Sequence, residues 1–335
     1  MGLQIGDIVP RKAIEFKELK GKTIAVDAFN ALYQFLSSIR QADGTSLMDS
    51  QGRVTSHLSG LFYRNMALLA EGIKLIYVFD GAYNPLKGKT QEMRQEARAA
   101  MREKYEEAKD EEDVDAMGKY GASLSRLDSV MIAESKELLE ALGIAVVQAP
   151  GEGEMQASAL VQDGQAYAVA SQDYDALVIG SRLIQNVTLS RTRKTRSGTI
   201  YISPEIIEYE KVLNELRIDS DQLICLAILV GTDFNPGGVR GIGPKKALSL
   251  VQQKKYPFSI FKEVEGRMDF NWQDIFEIFK KPNVDRKLQV EFPNINEAKV
   301  KEILVDRHEF SLERVEKQLE KLRELKKQGA QRTLF

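Results

Sequence analysis

The chain has 335 residues, 43% hydrophobic and 29% charged, with a formal net charge of -2. That is enough apolar material for one large domain or two closely joined ones, with no disorder signature outside a lysine-rich C-terminus. One cysteine, Cys225 inside LICLAILV, excludes a disulfide framework, and two histidines, His57 and His308, leave little for imidazole catalysis or a histidine-rich metal site.

Near-neutral charge confines any nucleic-acid contact to local patches. The first twenty residues lack a secretory apolar core and no run of about eighteen apolar residues occurs, so an intracellular protein is expected. In chain order, KTIAVDAFNALYQFL reads as a short buried strand that ends at Asp27 and runs into a helix, and IKLIYVFDG ends its apolar run at Asp80. Residues 84–127, dense in Lys, Arg, Glu, Ala and Met, read as a solvated helical excursion in which Lys87 and Arg94, seven apart, share one helix face if the helix begins early enough to include Lys87. DSVMIAESKELLEALG is a further helix, and ALGIAVVQAP a strand. That strand delivers Glu152 and Glu154 to the start of a helix within APGEGEMQASALVQDG, while AYAVASQDYD delivers Asp173 and Asp175. The alternation predicts an α/β fold, a mostly parallel sheet flanked by helices, with ligands bound outside the carboxyl ends of the strands.

SRTRKTRSG carries Arg191, Arg193, Lys194 and Arg196 with no acid among them, a candidate DNA contact or a solvated hairpin tip. After residue 205 helical patterns dominate, including DSDQLICLAILVGTDF, which ends near Asp233, and SLERVEKQLEKLRELKKQ. The division expected is an α/β core (1–83 and 128–205), the excursion (84–127), a helical region (206–325) and a tail (326–335). In GVRGIGPKKALSLV the glycines let backbone amides approach a phosphate, with Pro244 at the first helical position and Lys245 and Lys246 in the first turn. Lysines there oppose the helix dipole unless an anion is bound; the alternative is a tight interhelical turn.

Any one of these acids alone reads first as a helix N-cap. Asp27, Asp80, Glu152, Glu154, Asp173, Asp175 and Asp233 at one sheet edge are different. Like charges about 4 Å apart repel by roughly 4 kcal/mol at an effective dielectric of 20, so such a cluster stays ionised only if cations neutralise it. An oxygen-only set selects Mg²⁺ or Mn²⁺ over zinc, and two such ions about 4 Å apart suit an in-line displacement at phosphorus. The plainer alternative is a set of solvated loop acids.

The segments VDAFNALYQFL, TSHLSGLFYR, YVFDG, APGEGEMQA, SQDYDAL and ILVGTDFNPGGVRGIGPKKAL, in this order and at these separations, make the chain resemble the flap endonucleases from Gly2 to about residue 325. These are structure-specific 5′ nucleases of replication and repair, and the likeness is to their archaeal form. The resemblance implies a PIN-like 5′ nuclease core acting as a monomer on branched DNA, with 5′–3′ exonuclease activity beside flap cleavage. It implies that the seven acids form a two-metal site and that Lys87 and Arg94 are a catalytic basic pair on a helical gateway, with a cap, spanning 84–127. Tyr33 would stack on substrate near the scissile phosphate. The region around Gly241 and Gly243 would be a helix-two-turn-helix element holding K⁺ against duplex backbone. Three departures stand out: Gln185, in the short loop GSRLIQNVTLS, replaces a common arginine; Gly151 replaces a frequent serine; and QRTLF keeps Gln331 and Leu334 of a sliding-clamp-binding peptide without its terminal aromatic pair. The rival readings are a Mg²⁺-dependent hydrolase of small phosphate esters and a non-catalytic DNA-junction binder.

Overall fold

In chain order, strand β1 (Lys12–Ala13) precedes β2 (Thr23–Asp27), which runs straight into helix α1 (Ala28–Ser38). Helix α2 (Ser56–Ala70) leads to β3 (Lys74–Phe79), after which the chain leaves the sheet through α3 (Gly88–Asp110) and α4 (Val114–Gly121). It returns by α5 (Ser129–Ala141), β4 (Ala145–Gln148), α6 (Gly153–Gln162), β5 (Ala168–Ala170) and the short α7 (Asp175–Val178). Strand β6 (Leu183–Gln185) is followed by a hairpin of β7 (Thr192–Thr195) and β8 (Gly198–Tyr201), then by β9 (Glu205–Ile207). Helices α8 (Tyr209–Leu216), α9 (Ser220–Val230), α10 (Pro244–Lys254), α11 (Pro257–Lys262), α12 (Trp272–Lys280), α13 (Glu297–Lys301) and α14 (Leu312–Arg332) complete it. This computed structural model describes residues 3–332 apart from 42, 112, 189–191, 196 and 197.

Among the described residues the main sheet has seven strands in the order β1-β9-β6-β5-β2-β3-β4. The run from β6 to β4 is parallel, and β9 and β1 extend it antiparallel. Side-chain alternation explains why both faces are covered. Ile24 and Val26 of β2, with Leu75, Tyr77 and Phe79 of β3, pack on one face among residues of α1, α2 and α5. Ala25, Ile76 and Val78 point the other way, into a core shared with α6, α9 and the N-terminal arm. Strands buried on both faces read as unbroken apolar runs, which is why β2 and β3 are legible in sequence. The antiparallel edge is not: β9 begins where the sequence reading ends the strands, and a three-residue strand paired to a two-residue one leaves no period to read.

One segment without regular structure, 281–296, straps the helical region onto α6. The Gln156 amide donates to the Asp285 carbonyl (2.9 Å) and accepts from the Asp285 N–H (2.7 Å). Gln165 repeats the device with the Leu288 carbonyl (2.8 Å) and the Val290 N–H (3.0 Å). Each side-chain amide thus stands in for a neighbouring strand, satisfying backbone groups the strap would otherwise leave unpaired. Among the described residues no helix is long and apolar enough to cross a membrane.

Candidate active site

Parallel strands in register put their carboxyl ends together. Asp27 stands opposite Val78 in the β2–β3 pair, Val26 opposite Ala170, and Phe79 opposite Gln148, so the residues that follow all emerge at one edge. Asp27 is the N-cap of α1 and accepts from the Asn30 N–H at 3.1 Å. Asp80 accepts from the Gly153 N–H at 2.6 Å; a Cβ on Gly153 would stand 2.8 Å from that carboxylate, so the approach requires glycine. Glu152 caps α6, and Glu154, in its first turn, accepts from the Ala176 N–H at 3.3 Å. Asp173 is touched by the Asn30 side-chain amide at 3.4 Å. Asp233 arrives from the turn after α9, which is set by the buried Asn235: its Oδ1 accepts from the Thr232 N–H (3.1 Å) and its Nδ2 donates to the Ile228 carbonyl (2.8 Å).

All seven acids line a single cleft of about 1230 Å³, with α1 and α3 forming its walls. Tyr33 stands on the α1 wall, 41% exposed. Lys87 lies just before α3, as its N-cap, and Arg94 within it, so they are not on one face of a continuous helix, but both reach into the cleft: Lys87 Nζ pairs with Glu152, and Arg94 Nη2 with Asp233 at 2.6 Å. The Lys87 ammonium also lies 5.2 Å from the Phe234 ring centre. Burial works against that charge, but Glu152, with Asp233 and Asp175 behind it, more than compensates and holds the Lys87 pKa above its ordinary value. The acids are pushed the opposite way. Burial first, and Asp80 next, raise Asp27 to about 7; burial, then Asp173 and Asp233, raise Asp175 to about 7. Glu154 is driven well above the carboxylate range by burial and by Asp175, and Asp173 upward by burial and Asp233. Burial leads in every case, and the neighbouring carboxylates add to it.

The donor set suits a hard cation. Asp175 Oδ1 and Asp233 Oδ1 are buried with no hydrogen-bond partner among the described residues, the kind of vacancy an ion or its water fills. Among the described residues no three acid, histidine or cysteine side chains close around one point as a ready-made cage. An ion that retains several waters needs none. Neither histidine lines the cleft: His308 lies between Asp49 (3.1 Å) and Glu134 (3.0 Å), and His57 is buried.

The sequence reading missed Asn30, which contacts Asp173 and, through Oδ1, the Gln172 N–H at 3.4 Å; its place three residues after an N-cap aspartate was the available signal. It also missed Arg98, Arg102 and Arg126, which line the cleft from the excursion and carry no mark among that segment's many cations. Gln185 is buried, and its amide donates to the Gln172 carbonyl at 2.9 Å, so it braces the loop carrying Asp173 instead of facing outward. Gly243 caps α10 and Pro244 opens it; Lys246 Nζ reaches the Gly241 carbonyl at 3.3 Å, and Gly241 needs its positive φ of 77°. Arg191, Leu334 and the side chains of Arg193, Lys194 and Gln331 lie outside the described residues.

Residues 4–101 match the XPG N-terminal domain and residues 143–233 the XPG I-region. Flap endonuclease 1 of Pyrococcus furiosus is 48% identical over a 337-position alignment spanning 100% of this chain and 98% of that protein. The solved flap endonuclease-1 from Methanococcus jannaschii superposes with a TM-score of 0.77 at 40% identity, covering 97% of this chain and 98% of that one. The catalytic core of Rad2 in complex with DNA substrate aligns with a TM-score of 0.70 at 23% identity, over 96% of this chain and 100% of that one, a likeness of fold.

Proposed function

This chain belongs to the flap endonuclease family, and on that premise we propose that its seven acids hold two Mg²⁺ ions, replaceable by Mn²⁺, for hydrolysis of the phosphodiester at the base of a 5′ flap. The chain is accordingly a structure-specific DNA nuclease of replication and repair; 5′–3′ exonuclease action on the same DNA is part of the proposal. The observation that carries the metal reading is the pair of buried, unpartnered oxygens on Asp175 and Asp233 in a cleft walled by carboxylates.

When bound, such ions neutralise the phosphate and make water nucleophilic near neutral pH. The protein's own groups do the rest. Lys87 and Arg94, exchanged from Glu152 and Asp233 onto the phosphate oxygens, stabilise the charge that grows there, and the scission leaves a 5′-phosphate and a 3′-hydroxyl. Tyr33, half exposed on the cleft wall, offers its ring to the adjoining base. Specificity is for shape: phosphate contacts position a duplex without reading bases, and a junction bends where a continuous duplex resists. The excursion 84–127 serves as gateway and cap, and Arg191, Arg193 and Lys194 contribute further phosphate contacts on the strength of sequence alone. Clamp tethering through Gln331 and Leu334 is likewise a reading of the tail, tested by whether deleting residues 331–335 abolishes clamp binding.

Incubation with Mg²⁺ and either a labelled 5′ flap substrate or a simple phosphate monoester tests the assignment. Release of the intact flap with no ester hydrolysis is expected; the reverse result establishes the small-ester hydrolase, and tight flap binding without cleavage establishes the passive junction binder.

The amides of Gly241 and Gly243 and the ammonium groups of Lys245 and Lys246, with a K⁺ ion, grip duplex backbone away from the cleft. Log affinity falls with log salt by about 0.9 per phosphate neutralised, so the Lys245→Ala, Lys246→Ala protein has a slope shallower by roughly one to two units, with cleavage of bound DNA unchanged. An unchanged slope returns the segment to an interhelical turn.

A further inference from the structure

Tyr174 lies between two proposed ligands, Asp173 and Asp175, yet faces away from the cleft. Its ring is 8% exposed and joins the core that contains Leu3, Ile5 and Val9 of the N-terminal arm. There its hydroxyl accepts from Arg11 Nη2 at 3.1 Å. The same nitrogen donates to the Gly6 carbonyl, and Arg11 Nη1 stands 3.5 Å from Glu205 on β9. The guanidinium is therefore held by the arm, the antiparallel edge of the sheet and the phenol together. A Cβ at residue 6 would come within 2.8 Å of the Tyr174 hydroxyl and 3.0 Å of Arg11 Nη2, so a side chain there would push these two groups aside.

On its other side Tyr174 begins the turn that presents the acids. Its carbonyl accepts from the N–H groups of Leu177 (3.0 Å) and Val178 (3.1 Å), which starts α7 at Asp175. Among the described residues few hydrogen bonds fix the acids: Asp175 Oδ1 is unpartnered there, and Asp173 has the long contact from Asn30 and a bond from its own N–H to Ser171 Oγ at 3.1 Å. Where ligand side chains are weakly tethered, their position follows the backbone that carries them, and that backbone is pinned from below through the phenol.

We infer that Arg11 and Tyr174 form a positioning pair that sets the Asp173–Asp175 turn for cation binding, an inference that rests on the metal-site reading above. Neither touches the reacting atoms. Outer groups that orient ligands are typically worth 10–100-fold in metal affinity. For a bond acting through one intervening turn, the lower end of that range applies.

The test is Mn²⁺ titration of the metal-free protein by calorimetry, with flap affinity in EDTA measured alongside. Tyr174→Phe, which removes one oxygen and keeps the ring, weakens Mn²⁺ binding about 10-fold. Arg11→Met, which also removes the contacts with Gly6 and Glu205, weakens it at least as much, and the double variant loses no more than Arg11→Met alone, because the Tyr174 bond is already gone there. Flap affinity in EDTA holds, and cleavage recovers at saturating Mn²⁺. Unchanged Mn²⁺ affinity in Tyr174→Phe with a lowered melting temperature overturns the inference and leaves the bond as core packing; should Arg11→Met fail to fold, Tyr174→Phe alone still decides. Wild-type protein that binds no Mn²⁺ overturns the metal-site reading and this inference with it.

Discussion

Asp175→Ala lowers flap cleavage by several orders of magnitude while flap affinity in Ca²⁺ stays near wild type, and Glu154→Ala does the same, because on the proposal above both carboxylates, which line the cleft, hold the ions and do not contact DNA. Near-normal turnover in either sinks the two-metal proposal. A stability measurement separates loss of a ligand from loss of the fold. Burial, with the charges of Asp173 and Asp233, pushes the Asp175 carboxyl up to about 7. The folded state therefore holds that proton more tightly than the unfolded chain, whose carboxyls titrate near 4. Its contribution is unfavourable once ionised: nil below about 4, growing as pH rises towards about 7, and constant above. The metal-free Asp175→Asn protein thus melts higher than wild type at pH 8, by roughly 2–4 °C for each kcal/mol relieved, and the two converge at pH 4. Adding Mg²⁺ reverses the order at pH 8, since wild type gains more from the ion. Equal melting temperatures at pH 8 without metal would show that the acids do not strain the empty cleft.

Lys87→Ala and Arg94→Ala each slow single-turnover cleavage by about 10²- to 10³-fold, the usual result of deleting one charge-stabilising donor, with a much smaller loss of flap affinity. The structure sharpens the expectation, because each cation already has an acid partner in the cleft, Glu152 and Asp233 respectively. The rate is measured with enzyme in excess so that product release does not mask chemistry. Parallel losses in binding and rate would make the pair ordinary phosphate anchors.

What the sequence discloses follows from where physical signals are strong. Asp27 and Asp80 end apolar runs that can only be doubly covered strands, and the proline and glycines around Glu152 announce a strand-to-helix turn, so the sheet edge and its acids are legible together. Lys87 and Arg94 are legible as a pair of cations in a helical stretch, but where α3 begins, one residue after Lys87, and which acids the two meet are not. The tertiary bonds of Asn30, Gln156 and Tyr174 are not legible, although the place of Asn30 behind an N-cap aspartate is. Their partners, Asp173, Asp285 and Arg11, lie far away in sequence, and a polar or aromatic residue inside an amphipathic stretch gives no hint of a bond that only tertiary structure creates. The two-residue β1 is hidden for the complementary reason: its pairing with β9 carries all of its information and its own residues almost none.

The scattering of the acids along the chain has a consequence for how the enzyme is made. Asp27 comes from the first central strand and Asp233 from the turn after α9, and a ribosome adding roughly 5–20 residues per second takes about 10–40 s to pass from one to the other. Because β5 must slot in beside β2 after β3 has already claimed its other side, the cleft cannot exist as a sub-assembly of the earlier strands. Every nascent or truncated chain that stops short of residue 233 lacks one of the seven acids and the turn that presents it. On the proposal above, no nascent chain completes the set of seven acids before residue 233 has been added, and α10 to α14 are still to be made at that point.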